Sequence, residues 1–158
     1  MHRSARHVLG ALGAVALCIA APFAAANLGD IDEGSSDNAN FQEGKKAIEA
    51  QDWNRAIALL GKAAEAEPKN ADIQNFLGYA SRKAGNLDAA LKYYGQALQL
   101  NPRHKPAHEY MGEAYLLANN LQKAEEHLAE LQKLCTPIPC EEYKELKRAV
   151  DEYKKSRK

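Results

Sequence analysis

The chain has 158 residues, 46% hydrophobic and 27% charged, with 21 basic and 21 acidic side chains. That length and balance suit one globular domain and exclude a disordered chain. A net charge of zero offers no electrostatic footprint for nucleic acid.

Arg3 and Arg6 open the chain with positive charge. An uncharged apolar run follows from Val8 to about Ala21, closed by Pro22 and then Ala24, Ala25 and Ala26. This pattern predicts a signal peptide over residues 1–26, cleaved after Ala26. The run is shorter than the ~20 residues of a spanning helix, so the chain meets a membrane only if this segment stays uncleaved as an anchor. Leu17 is too bulky to precede a lipidated cysteine at Cys18. Removing residues 1–26 takes away two Arg and no acid, leaving 19 basic and 21 acidic residues and a net charge of −2. The expected location is periplasmic or secreted. Residues 27–37 are polar, acidic and glycine-containing, and read as a flexible lead.

From residue 38 a 34-residue period governs the chain. Gly44, Gly78 and Gly112 share one register. So do Ala56, Ala90 and Ala124; Trp53, Leu87 and Leu121; Leu60, Tyr94 and Leu128; and Ala63, Ala97 and Leu131. Such a period marks a repeat architecture. Each unit reads as two helices, over 38–50 and 53–66, 71–84 and 87–100, and 106–118 and 121–134. Asp52, Asn86 and Asn120 stand where N-caps belong. Pro68 and Pro102 end the second helices, and Thr136 replaces the third proline. A helical glycine costs ~1 kcal/mol relative to alanine. Three at one register imply close approach of the paired helices, the small Gly and small Ala columns together allowing it.

Cys135 and Cys140 flank Thr-Pro-Ile-Pro. An even pair in an exported chain predicts a disulfide, worth ~2 kcal/mol by loop closure. Haem attachment wants His where Glu141 stands, a zinc site wants four ligands, and a redox pair usually has two intervening residues. From Glu141 to about Lys155, Tyr143, Leu146, Ala149, Val150 and Tyr153 form one apolar stripe. Repeat arrays need a terminal element that is apolar inside and polar outside, so residues 140–155 read as a capping helix, with a partner-binding helix as the alternative.

The middle unit carries Leu77-Gly78-Tyr79, Gly85-Asn86, Ala89-Ala90, Tyr93-Tyr94, Ala97-Leu98 and Asn101-Pro102. Over residues 37–136 the chain resembles the tetratricopeptide repeat (TPR) family. Glu43 and Ala47 in the first unit and the missing third proline are departures. The resemblance implies an all-α, right-handed helical-hairpin solenoid of three TPR units, about 37–70, 71–104 and 105–136, plus the capping helix. A Cys-pair turn and a Tyr/Lys-rich final helix also resemble small exported bacterial TPR proteins.

The resemblance further implies that first helices line a concave partner groove. By position this gives Phe41, Lys45, Ile48 and Glu49; Asn75, Tyr79, Arg82 and Lys83; and Glu109, Glu113, Leu116 and Leu117, with a basic centre and an acidic end. Phe41, Phe76 and Tyr110 stand where a carboxylate clamp wants polar groups, so that specificity is not expected. No phosphate loop, metalloprotease helix or nucleophile elbow appears, and no cofactor is expected. His104 and His108 are separated by Pro106 and read as solvated surface, not a metal pair. The function expected is a non-catalytic adaptor binding a protein or peptide. The alternative is a self-assembling or complex-forming envelope subunit. A third reading, a redox protein built on Cys135–Cys140, predicts a readily reducible bridge.

Overall fold

The computed structural model describes residues 38–157. The predicted signal segment and acidic lead lie outside them. Seven helices occupy the described residues: α1 Ala39–Glu49, α2 Trp53–Ala66, α3 Ala71–Lys83, α4 Leu87–Leu100, α5 Lys105–Leu117, α6 Leu121–Leu134 and α7 Glu141–Lys155. No strand occurs among them.

Side-chain caps set the helix starts. Asp52, Asn86 and Asn120 each accept a backbone N–H three residues on, from Arg55, Ala89 and Lys123. Asn38, Asn70 and His104 do the same for the first helices of the three units. Each satisfies a donor that the first turn leaves without a partner. α5 begins one residue earlier than predicted, because Pro106 is tolerated in a first turn where its missing N–H is not needed.

The turns inside the hairpins obey the same period. Gln51 (φ 57°), Gly85 (φ 84°) and Asn119 (φ 58°) adopt the left-handed conformation. Each lets the next N–H return to the helix just ended: Asp52 to Ala47 O at 2.9 Å, Asn86 to Ser81 O at 2.9 Å, Asn120 to Tyr115 O at 2.8 Å.

The glycine column faces a neighbouring helix at close range, as expected, and the space it leaves is filled by a large side chain. A Cβ on Gly44 would fall 2.8 Å from the Leu60 side chain, and one on Gly78 2.5 Å from the Tyr94 ring. Leu60 and Tyr94 are fully buried. The glycine is the hole into which a large side chain packs. In the third unit the filler changes. Gly112 meets Leu146 of α7 at 2.5 Å, and Leu128, which the period puts in that role, is only half-buried.

Consecutive helices pack as neighbours. In addition α1 touches α3 and α3 touches α5, whereas the second helices α2, α4 and α6 do not touch one another. The array therefore curves with the first helices inside. α7 departs from that scheme, packing on both α5 and α6 and more extensively on α5. Leu146 and Val150 bury its stripe against Leu116, Ala124 and Leu131. The Cys135–Cys140 bridge, with Cα atoms 5.3 Å apart, ties the start of α7 to the end of α6. At the far end Lys154 pairs with Glu125, and Tyr153 and Arg157 reach Asn119.

The glycines divide into two sets with opposite expected responses. Gly61 and Gly95, one period apart, have nothing within 4 Å of an added Cβ, and Ala129 already holds that register in the third unit. Gly61→Ala and Gly95→Ala should each raise stability by about 0.5–1 kcal/mol. Gly78→Ala should lower it by about 1–3 kcal/mol, because the buried Tyr94 ring must move. Urea unfolding midpoints of the three variants check both signs.

Candidate interaction face

Aromatic rings run along the inner face. Phe41 meets Phe76 edge-on with centroids 5.5 Å apart, Trp53 meets Tyr79 at 6.3 Å, and Tyr79 meets Tyr110 at 5.3 Å. Phe76, Tyr79, Tyr110 and Trp53 stay half-buried, leaving ring surface open to contact. Such rings give a ligand large area at low entropy cost.

The structure sorts the predicted site residues into different roles. Lys45 and Ile48 of α1, Tyr79 of α3, and Glu109 and Glu113 of α5 are half-buried, while Glu49, Lys83 and Leu117 are exposed. Lys45 Nζ lies 4.9 Å from the Phe41 ring centroid and Lys83 Nζ 5.5 Å from that of Tyr79. Arg82 does not supply the expected basic centre. Its guanidinium lies 5.6 Å from the Tyr79 centroid and 5.5 Å from that of Tyr110, and Nη1 meets Glu113 Oε2 at 2.6 Å. With its side chain 11% exposed, Arg82 is committed to holding α3 against α5. Asn75 is 4% exposed, and its buried Oδ1 has no hydrogen-bond partner among the described residues. Leu116 is buried beneath α7 and is closed to a ligand.

Behind the face, burial pushes the Tyr94 hydroxyl well above its usual range. The guanidinium of Arg82 acts on that hydroxyl electrostatically, yet neither Arg82 Nε nor the hydroxyl makes a hydrogen bond of good geometry. At the α5–α7 end the face is acidic. Burial, followed by the charges of Glu113, Glu142 and Glu145, raises the Glu109 carboxyl to about 7. Sequence periodicity could not foresee Glu142 and Glu145 there, because the stripe on α7 does not say which helix it lands on.

The histidines are not solvated surface. His104 and His108 are each 7% exposed. His104 Nδ1 accepts the Ala107 N–H at 3.1 Å, so Nε2 carries the proton that it donates to Asp72 Oδ1 at 2.9 Å. That bond lowers the Asp72 carboxyl and ties the start of α5 to the start of α3. Asn70 and His104 share one register, a signal that could have marked His104 as a cap. His108 turns the other way, to His127 of α6. Burial, then the neighbouring His108, lowers His127 to about 4.

Family models for the tetratricopeptide repeat match residues 41–94 and 81–150. The chain belongs to the tetratricopeptide repeat family. Solved structures with the same fold include the first TPR of Spaghetti (RPAP3), bound to an HSP90 peptide. It is 20% identical with a TM-score of 0.64, over 72% of this chain and 89% of that one. The Sgt2 TPR domain from Aspergillus fumigatus is 19% identical with a TM-score of 0.66, over 74% and 76%. The Yersinia enterocolitica type III secretion translocator chaperone SycD is 15% identical with a TM-score of 0.68, over 75% and 83%. No curated protein sequence matches the chain. In this TPR array the closing helix α7 narrows the inner face at its α5 end.

Glu109 makes the stability of this TPR protein depend on pH. Its carboxyl rises from an ordinary 4.5 to about 7 on folding, so its contribution is fully present below pH 4.5 and lost as pH rises through 7. The whole shift corresponds to roughly 3 kcal/mol, and residual solvent around the half-buried group reduces this to about 1–2 kcal/mol. Glu109→Gln should therefore match the wild type at pH 4 and exceed it by that amount at pH 8, as urea unfolding at the two pH values will show.

Proposed function

We propose that this protein is a non-catalytic, exported adaptor whose inner face holds a segment of another protein. The observation that carries the reading is the pair of half-buried rings Tyr79 and Tyr110 on the inner helices α3 and α5, with half-buried Trp53 of α2 packed edge-on against Tyr79. The TPR fold is a protein-interaction scaffold, and one solved structure of this fold holds a peptide. Export is supported by the charged start and apolar run of residues 1–26 and by the bridged cysteines. A periplasmic or secreted location follows from that segment once cleaved, and membrane attachment if it is retained.

The face also suggests what the partner presents. Lys45 and Lys83 suit carboxylates towards α1 and α3, and the glutamates at the α5–α7 end suit a Lys or Arg. Phe41, Phe76 and Tyr110 replace the polar groups of a carboxylate clamp, so recognition of a free chain terminus is not part of the proposal. Affinity capture from an envelope extract tests it. The Tyr79→Ala/Lys83→Glu double variant should lose partners that wild type and the outer-face control Lys92→Glu both recover, with all three giving the same helical circular dichroism. Equal recovery by all three baits would overturn the assignment.

A second proposal, an envelope subunit that pairs with its own kind, rests on Ile138. That side chain is 79% exposed at the tip of the bridged loop. Light scattering of the same preparation should show mass growing with concentration if self-pairing holds, with Ile138→Ser abolishing the growth.

A further inference from the structure

Two leucines compete for one space in the third hairpin. Leu60 and Tyr94 fill the space at Gly44 and Gly78 from the second helix of the same hairpin. Leu128 holds that register on α6, yet it is only half-buried, because Leu146 of α7 already fills the space at Gly112. Leu128 packs beside Leu146 in one apolar cluster with Leu116, Leu131 and Val150. A side chain identical to Leu60 therefore stands next to the seat of α7.

α7 is held differently at its two ends. The Cys135–Cys140 bridge anchors its start to the end of α6. Its far end is held at the surface, by the exposed Lys154–Glu125 pair and by Tyr153 and Arg157 at Asn119. Exposed pairs of that kind stabilise little. Between the ends, like charges meet across α5 and α7. Glu142 and Glu145 of α7 act on Glu109, and so does Glu113 of its own helix. The cation within range, Arg82 of α3, is engaged by Glu113, and Arg148 engages Glu145 from within α7. Burial raises the Tyr110 hydroxyl, so that ring adds no charge at neutral pH.

We propose that α7 is a hinged strap with two packings: closed, with Leu146 in the space at Gly112, and open, with Leu128 in that space and α7 swung out about its bridged start. Packed cores switch between discrete arrangements of this kind and do not deform continuously. The open packing gives the third hairpin the form of the first, with Leu128 as the counterpart of Leu60. It also uncovers Leu116, which shares a register with Ile48 and Arg82 and so extends the inner face. Ionisation of Glu109 as pH rises through about 7 sets a further negative charge against Glu142 and Glu145 and favours the open form. The gating of a bound segment rests on the inner-face reading above; the two packings do not.

The test is native-state hydrogen exchange of the oxidised full chain, followed by mass spectrometry at pH 5.5 and pH 8 and corrected for intrinsic exchange rates. Amides of α7 should open without those of α1–α4, and more often at pH 8. Glu109→Gln should remove that pH dependence. Leu146→Ala should raise the opening of α7 roughly tenfold or more, since it empties the closed seat. Leu128→Ala should lower it roughly threefold or more, since the open form buries that leucine more deeply than the closed form does. Loss of an ordinary core contact would act in the opposite direction. Exchange of α7 only together with the whole array, or an opening that Leu128→Ala raises or leaves unchanged, would overturn the proposal. The readout needs no partner, so it stands or falls separately from the inner-face reading.

Discussion

A missing side chain sets the spacing of the array. At Gly44 and Gly78 the first helix of a hairpin comes so near the second that Leu60 and Tyr94 occupy the volume a Cβ would need. Helices this close leave no room for water between them and put both large side chains at zero exposure. Everything on the inner face inherits that geometry. With α3 seated on Tyr94, Arg82 and Tyr79 point along the curve towards α5, and the guanidinium can reach both Tyr110 and Glu113.

The third hairpin shows what happens when the same hole is filled from elsewhere. Leu146 of α7 enters at Gly112 and displaces Leu128 from the position that the period assigns it. α7 thereby leans over α5 rather than stacking as a further repeat. Its apolar stripe buries Leu116, and its first turns bring Glu142 and Glu145 to Glu109. The same packing that finishes the core thus gives the inner face its acidic end. Charge and burial are coupled there: the glutamates are crowded because the leucine beside them is well packed.

Polar groups join the units as well as capping them. His104 closes the first turn of α5 with one nitrogen and holds Asp72 of α3 with the other. Four residues on, His108 reaches across its own hairpin to His127. Two histidines four residues apart thus serve two interfaces, because His104 is the extended N-cap just before α5 whereas His108 lies within the helix. Apolar packing alone tolerates sliding along a helix face, whereas these bonds have fixed partners and directions. The His104–Asp72 bond fixes the register of the third unit against the second, and the His108–His127 bond that of α6 against α5.

Much of this was legible in the residues. The 34-residue step located all six repeat helices to within a residue or two, and Asp52, Asn86 and Asn120 marked their caps, because capping and turn geometry are local and repeat with the chain. The amphipathic stripe from Tyr143 to Tyr153 announced that α7 must be buried on one side. The stripe could not say that it lands on Gly112, that Leu116 disappears beneath it, or that Arg82 is taken up by Glu113. Those outcomes join residues about thirty positions apart, and side-chain volume and charge decide them once the helices are packed. By itself, then, the sequence determined the helices, their pairing and which faces are apolar, since each follows from spacing along one chain. Only the tertiary structure decided which of the residues facing inward remain open to a partner, since that depends on what a neighbouring helix has already filled.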